Sequence, residues 1–172
     1  RGVNVQFHLL VFTFQTYSSF RSLDASLSSD STNNSKQINV DQFLAELDRF
    51  KTKDVLNIPK HGFLNLHFSL LPAYRGAAPV QRSILSGDVV TGISIFKIDE
   101  NLDTGPIYLQ NDFKIPEKST SDEVLSELAY LGASAFDQVF EMIEQGIAPS
   151  AQSATGVSFA PKISKDEAKI DW

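Results

Sequence analysis

Residues 62–79 read GFLNLHFSLLPAYRGAAP, and the rest of the chain is arranged around them. Phe63 to Phe68 are rich in branched and aromatic side chains, come after a glycine and precede a turn-rich loop, which predicts a short strand. Side chains two apart on a strand point the same way, so Asn65 and His67 share one face while Leu64, Leu66 and Phe68 fill the other. An amide and an imidazole are thereby held side by side at a strand end. Pro72 favours an extended Leu71, and Pro72, Gly76 and Pro79 make 72–79 a surface loop. Open α/β sheets place their ligands where such loops leave strand ends. The Asn-x-His pair is weak by itself, because a strand histidine is more often a packing residue; a third partner is needed.

The totals bound the function. A chain of 172 residues suits one domain with a real core, and 42% hydrophobic with 21% charged residues is a globular composition. No apolar run reaches the ~20 residues that a bilayer span needs, so the reading expects no membrane. Fifteen Lys and Arg against twenty-one Asp and Glu give a net charge of -6, and any RNA contact would have to come from a local patch or from parts not present. The absence of cysteine excludes disulfides, thiolate catalysis and cysteine-bound zinc. His8, His61 and His67 are too dispersed to suggest a metal cluster.

Along the chain, Val3, Val5 and Phe7 alternate and Leu9 to Phe12 run together, which suits a buried strand. Residues 22–37 are polar and low in complexity, a linker or surface insertion, and 1–53 as a whole form an N-terminal segment distinct from a core at 54–172. Val40, Phe43, Leu44, Leu47 and Phe50 fall at helical spacing. Pro79 suits the first turn of a helix that Gly87 ends. That helix start and the loop's Arg75 could face an anion, although Arg75 equally suits a solvated surface charge. Residues 89–98 predict a central strand, and 106–110 with 113–115 a strand pair or one bent strand. Thr120 and Glu123 form a capping box for a long helix with Val124, Leu128, Leu131, Ala135, Val139 and Ile143 on its apolar face, stopped by Gly146. Residues 151–159 read as extended, Ser164 and Glu167 as a second capping box, and both chain ends look cut.

The third partner is Asp103, in Leu102-Asp103-Thr104-Gly105, in the turn leaving the strand expected to neighbour that of Asn65 and His67. A carboxylate beside an imidazole orients it and raises its proton affinity, while a carboxamide can donate to a developing oxyanion. The three suit attack of an amine on a carbonyl. Asp-Thr-Gly also occurs in aspartic proteases, but those need a second Asp in an all-β setting, at odds with the helix content expected here.

At these residues the chain resembles the folate-dependent formyltransferases. The motifs are Asn65-Leu66-His67, Ser69-Leu70-Leu71-Pro72, Arg75-Gly76-Ala77-Ala78-Pro79, Gln81-Arg82 and Leu102-Asp103-Thr104-Gly105-Pro106, and the similarity covers about Asp54 to Trp172. RGAAPVQR and the ending KISKDEAKIDW look most like the branch that acts on initiator tRNA. The resemblance implies an α/β fold with a doubly wound, mainly parallel sheet, incomplete on its N-terminal side. It implies transfer of a formyl group from 10-formyltetrahydrofolate to the amino group of methionine on initiator tRNA, without a metal. Carried over by motif, Asn65, His67 and Asp103 are catalytic and Ser69, Leu70, Leu71 and Pro72 help to bind folate. Asn65 and a protonated His67 would steady the oxyanion while Asp103 orients the imidazole. Such a protein would act as a monomer in the bacterial cytoplasm or in a mitochondrion. The rivals are a related enzyme with glycinamide ribonucleotide, an amino-sugar nucleotide or water as acceptor, and an inactive remnant of the fold.

Overall fold

The structure, a computed structural model, describes residues 56–57 and 59–168. The strand expected near Val3 to Phe12, the linker at 22–37 and the helix from Val40 lie outside the described residues, as does the KIDW ending.

Three strands form the described sheet, in the order β1 (Leu64–His67), β2 (Val90–Lys97) and β3 (Ile107–Lys114). Both pairings are antiparallel, with Leu66 opposite Ile95, His67 opposite Ser94 and Ser94 opposite Gln110. The directions result from the connections. Residues 68–78 fold back over the sheet, and the short helix α1 (Pro79–Leu85) with Gly87 at φ 77° returns the chain to the end of the sheet that it left. A parallel neighbour would have needed a crossover running the full strand length. The β2–β3 connection is a turn at 98–106, which also enforces antiparallel pairing. No pairing between the described strands is parallel, so the mainly parallel sheet expected from the resemblance is not seen among the described residues. β3 is one bent strand, with a register shift opposite Ile95 and Phe96.

One face of the sheet is covered by α2 (Ser121–Glu144). Its capping box is complete: the Thr120 backbone N–H donates to Glu123 Oε2 at 2.8 Å, and the Glu123 N–H donates to Thr120 Oγ1 at 3.3 Å. Val124, Leu128, Ala135 and Val139 are buried against Leu64, Leu66, Ile93 and Ile95, with Leu131 and Ile143 partly covered. Each such fully buried aliphatic side chain stabilises the fold by about 1.5–3 kcal/mol. Gly132 lies flat on β1, where a Cβ would run into the Leu66 side chain.

The opposite face carries Asn65, His67 and Ser94, all buried, under the 69–78 loop. Ser94 is the pin. Its hydroxyl donates to the Ser69 carbonyl at 2.7 Å and accepts from Leu71 N–H at 3.0 Å and from Gln110 Nε2 at 2.8 Å. A second layer of backbone closes over that loop. Ser158 and Ala160 exchange hydrogen bonds with Arg75, and Ser150 pairs with Ile107, so 150–160 is a strap across the site. Arg82 holds the segment after the strap: Nε reaches the Pro161 carbonyl at 3.0 Å and Nη1 reaches Glu167 at 2.6 Å, which keeps the pKa of the Glu167 carboxyl at about 2. Residues 165–168 make one 3₁₀ turn in place of the start of a longer helix, with the Ser164–Glu167 box formed.

Gly105 brings the turn at 99–105 against the end of β2, where a Cβ would overlap the Lys97 carbonyl. Neither backbone can yield cheaply. Gly105→Ala should therefore destabilise the fold by about 2 kcal/mol or more, read as a lower urea midpoint; an unshifted midpoint would show that the close approach is not a constraint.

Candidate active site

His67 is 3% exposed, with its imidazole edge-on to Phe96 at 6.5 Å between ring centres. Nε2 lies 2.8 Å from the Tyr74 carbonyl oxygen. A carbonyl only accepts, so Nε2 carries the hydrogen in the neutral ring and the lone pair sits on Nδ1. Nδ1 faces Asp103 Oδ2 at 3.8 Å, beyond hydrogen-bond length but close enough for strong charge coupling. Burial depresses the proton affinity of His67 below its ordinary range, outweighing the opposite pull of the Asp103 carboxylate and the Tyr74 carbonyl. The free protein therefore holds His67 neutral near pH 7. The resemblance implies a protonated His67 during the reaction; in the fold as it stands, desolvation of the ring exceeds the support that one carboxylate at this distance gives.

Asp103 reaches the imidazole from a different part of the chain. Its backbone is left-handed, φ 50°, a conformation that Asp tolerates better than most residues. Its Oδ2 also accepts the Gly76 N–H at 2.8 Å. The turn behind it is braced by Thr104, whose hydroxyl donates to the Asp99 carboxylate at 2.6 Å. Tyr74 is likewise left-handed, φ 59°, and that turn aims its carbonyl at His67 while its hydroxyl donates to Asp88 at 2.6 Å.

Asn65 is 6% exposed and shares the face of His67. The structure thus brings an amide, an imidazole and a carboxylate to one sheet face. Ser69, Leu70, Leu71 and Pro72 run alongside, with polar groups engaged by the protein itself. Ser69 Oγ donates to the Ala73 carbonyl at 2.6 Å, and the Leu71 carbonyl accepts Gln110 Nε2 at 2.9 Å. The half-buried Leu70 and Pro72 leave apolar surface. The Leu71–Pro72 peptide is cis.

Arg75 is partly buried, and its guanidinium donates to Gln152 Oε1 at 2.6 and 3.2 Å. Helix α1 has seven residues, with Pro79 in its first turn and no side-chain cap. Sequence reading missed Gln152, Tyr74 and Ser94. Ser94 could have been found, as a small polar residue facing inward between Ile93 and Ile95; the Tyr74 contribution is a backbone carbonyl and leaves no trace in residue type. A cleft of about 380 Å³ lined by Phe113, Lys118, Glu123 and Glu127 includes none of Asn65, His67 and Asp103.

A buried ring with one open lone pair, backed by a carboxylate and beside a carboxamide on an α/β sheet, suits group transfer at a carbonyl. The chain belongs to the formyl transferase family, whose profile matches residues 6–140. It is 51% identical over 118 residues to a methionyl-tRNA formyltransferase of Frankia casuarinae, an alignment covering 68% of this chain and 35% of the relative. The chain spans between 35% and 39% of the length of the curated relatives it matches. Among solved structures it is similar to the formyltransferase PseJ of Anoxybacillus kamchatkensis in complex with a UDP-linked formamido sugar and tetrahydrofolate. That match has a TM-score of 0.57 and 28% identity, covering 68% of this chain and 60% of that one. An N-formyltransferase of Helicobacter canadensis, in complex with folinic acid and dTDP-3-aminofucose, gives 0.56 and 26%, covering 59% and 38%.

The depressed proton affinity of His67 couples stability to pH. The unfolded imidazole titrates near 6.5 and the folded one lower, so between those values the unfolded chain binds more protons and stability falls as pH drops. Thermal melts taken from about pH 7.5 to about pH 5 should decline below 6.5, and His67→Gln should flatten part of that slope. An equal slope in the variant would mean that the ring is not buried in its neutral form.

Proposed function

We propose that this chain carries the formyl-transfer chemistry of a methionyl-tRNA formyltransferase: 10-formyltetrahydrofolate supplies the formyl carbon and the amino group of methionine on initiator tRNA receives it. The observation that carries the reading is the Asp103–His67 approach beside Asn65, and the identity to methionyl-tRNA formyltransferases supports the acceptor. The bacterial relatives favour a cytoplasmic setting, with a mitochondrial one as the alternative.

The residues divide the work by their burial. Asn65 donates its amide hydrogens to the carbonyl oxygen as negative charge develops there. Attack by the amine forms the new C–N bond and releases a proton. Asp103, the more exposed member of its pair at 13% against 4%, takes that proton and shares it with the Nδ1 lone pair of His67. The Tyr74 carbonyl, accepting from Nε2–H, steadies the ring while it is charged. The same proton returns to the folate nitrogen as its bond to the formyl carbon breaks, so charge and atoms balance. The Ser69–Pro72 loop, with its polar groups already satisfied and Leu70 and Pro72 presenting apolar surface, suits the flat ring system of a folate better than a charged group.

The test is formation of formyl-methionine from charged initiator tRNA and 10-formyltetrahydrofolate, with an amino-sugar nucleotide and a reaction lacking acceptor as comparators. His67→Ala and Asp103→Ala should each lower the rate by at least ~100-fold. Turnover close to the unaltered protein in either variant removes the mechanism, and preferential formylation of the sugar nucleotide removes the acceptor.

A further inference from the structure

Gln152 lies on the 150–160 strap, between the Ser150–Ile107 bridge and the Arg75–Phe159 bridge. Its carboxamide has little freedom. Nε2 donates to the main-chain carbonyls of Asp103 at 2.8 Å and Gly105 at 2.9 Å, while Oε1 accepts both Nη2 and Nε of Arg75. Carbonyls only accept and a guanidinium only donates, so the orientation of the amide is fixed by its partners. No other neutral side chain of this length can serve two acceptors and a cation at once. Glutamate would satisfy Arg75 but would turn its second oxygen against two carbonyls, and alanine would release all three.

What these partners have in common is His67. Asp103 faces Nδ1 with its carboxylate, and its main chain, strained at φ 50°, is the part that Gln152 holds. The neighbours of Arg75 are Tyr74, whose carbonyl holds Nε2, and Gly76, whose N–H holds the Asp103 carboxylate. A left-handed Asp persists only where its surroundings over-determine it. Through Arg75 on one side and two main-chain carbonyls on the other, Gln152 grips both turns.

We propose that Gln152 is a positioning residue, whose carboxamide ties the 74–76 turn to the 103–105 turn and so sets the separation of the Asp103 carboxylate from the His67 imidazole. The role rests on the reading that this pair handles the proton during formyl transfer. Gln152 itself touches no reacting atom. Its effect is geometric: with the carboxylate held 3.8 Å away, an unprotonated Nδ1 stays open, and arrival of a proton draws the two groups into a charge-assisted hydrogen bond.

The experiment compares the unaltered protein with Gln152→Glu and Gln152→Ala by three measurements: kcat and KM for formylation of methionyl-tRNA, the NMR titration of the His67 ring, and thermal melting. Gln152→Glu retains an anchor on Arg75, so what it shares with Gln152→Ala comes from loss of the grip on Asp103 and Gly105. Both variants should lose on the order of tenfold or more in kcat with KM little changed. In Gln152→Ala, His67 should titrate at lower pH, because the carboxylate that raises its proton affinity is no longer held nearby; in Gln152→Glu the added negative charge pulls the other way, so that variant is read by kcat alone. Among the described residues, Asp103, the Tyr74 carbonyl and Phe96 face the ring, and of these three Asp103 carries the charge. The titration decides. A His67 midpoint in Gln152→Ala equal to that of the unaltered protein overturns the proposal, and so does failure of both variants to fold, which would make the role purely structural. If the unaltered protein does not formylate methionyl-tRNA, the functional reading falls, while a shifted His67 midpoint still establishes Gln152 as the positioning group.

Discussion

A strand with an apolar face and a polar face, both buried, is the constraint on which the described structure depends. β1 has four residues and all four are covered. Leu64 and Leu66 need only packing, which α2 supplies. Asn65 and His67 cannot be buried cheaply unless their hydrogen-bonding groups are met from above the sheet. For His67 the partner is the Tyr74 carbonyl, so the loop has to turn back over the strand it has just left and to contribute main-chain atoms. Ser94 on the neighbouring strand pins that loop from below, and the strap at 150–160 covers it. Layering of this kind places a titratable ring where water is scarce but where a second charged group still has access.

Distance and dehydration act against each other at His67. Dehydration alone would leave a ring that resists a proton, and a carboxylate in direct contact would raise its proton affinity further. A separation of 3.8 Å lies between these limits. Electrostatic coupling at such a range depends steeply on small displacements when the local dielectric is low. The two left-handed residues beside the imidazole, Tyr74 and Asp103, are each braced by several contacts rather than one.

Much of this was legible in the residues. The period of β1, the Thr120–Glu123 box, the proline that opens α1 and the glycine that closes it each rest on local stereochemistry, which sequence reports directly. Asn65 and His67 shared a face by strand period; Asp103 was joined to them by the expected neighbouring of two strands and by motif resemblance, since no local rule links residues so far apart. Three things stayed hidden for definite reasons. Strand direction depends on how a connection packs, and the connection from β1 to β2 offered both outcomes. The charge of His67 depends on how much protein covers it, a sum over many atoms. Gln152 sits among serines, alanines and threonines with no periodic pattern, so nothing nearby marks its amide as more than a solvated one.

Arg82 adds a further property. Its guanidinium fastens Pro161, Lys162 and Glu167 to α1, while Ala160, one residue earlier, accepts from Ala78 and donates to the Arg75 carbonyl. A tug on residues 161–167 would thus travel into the loop above the imidazole through directional polar links and not through oily contact. Links of that type hold direction and distance, whereas greasy surfaces slide, which makes residues 161–167 a stiff tether to the loop above the imidazole.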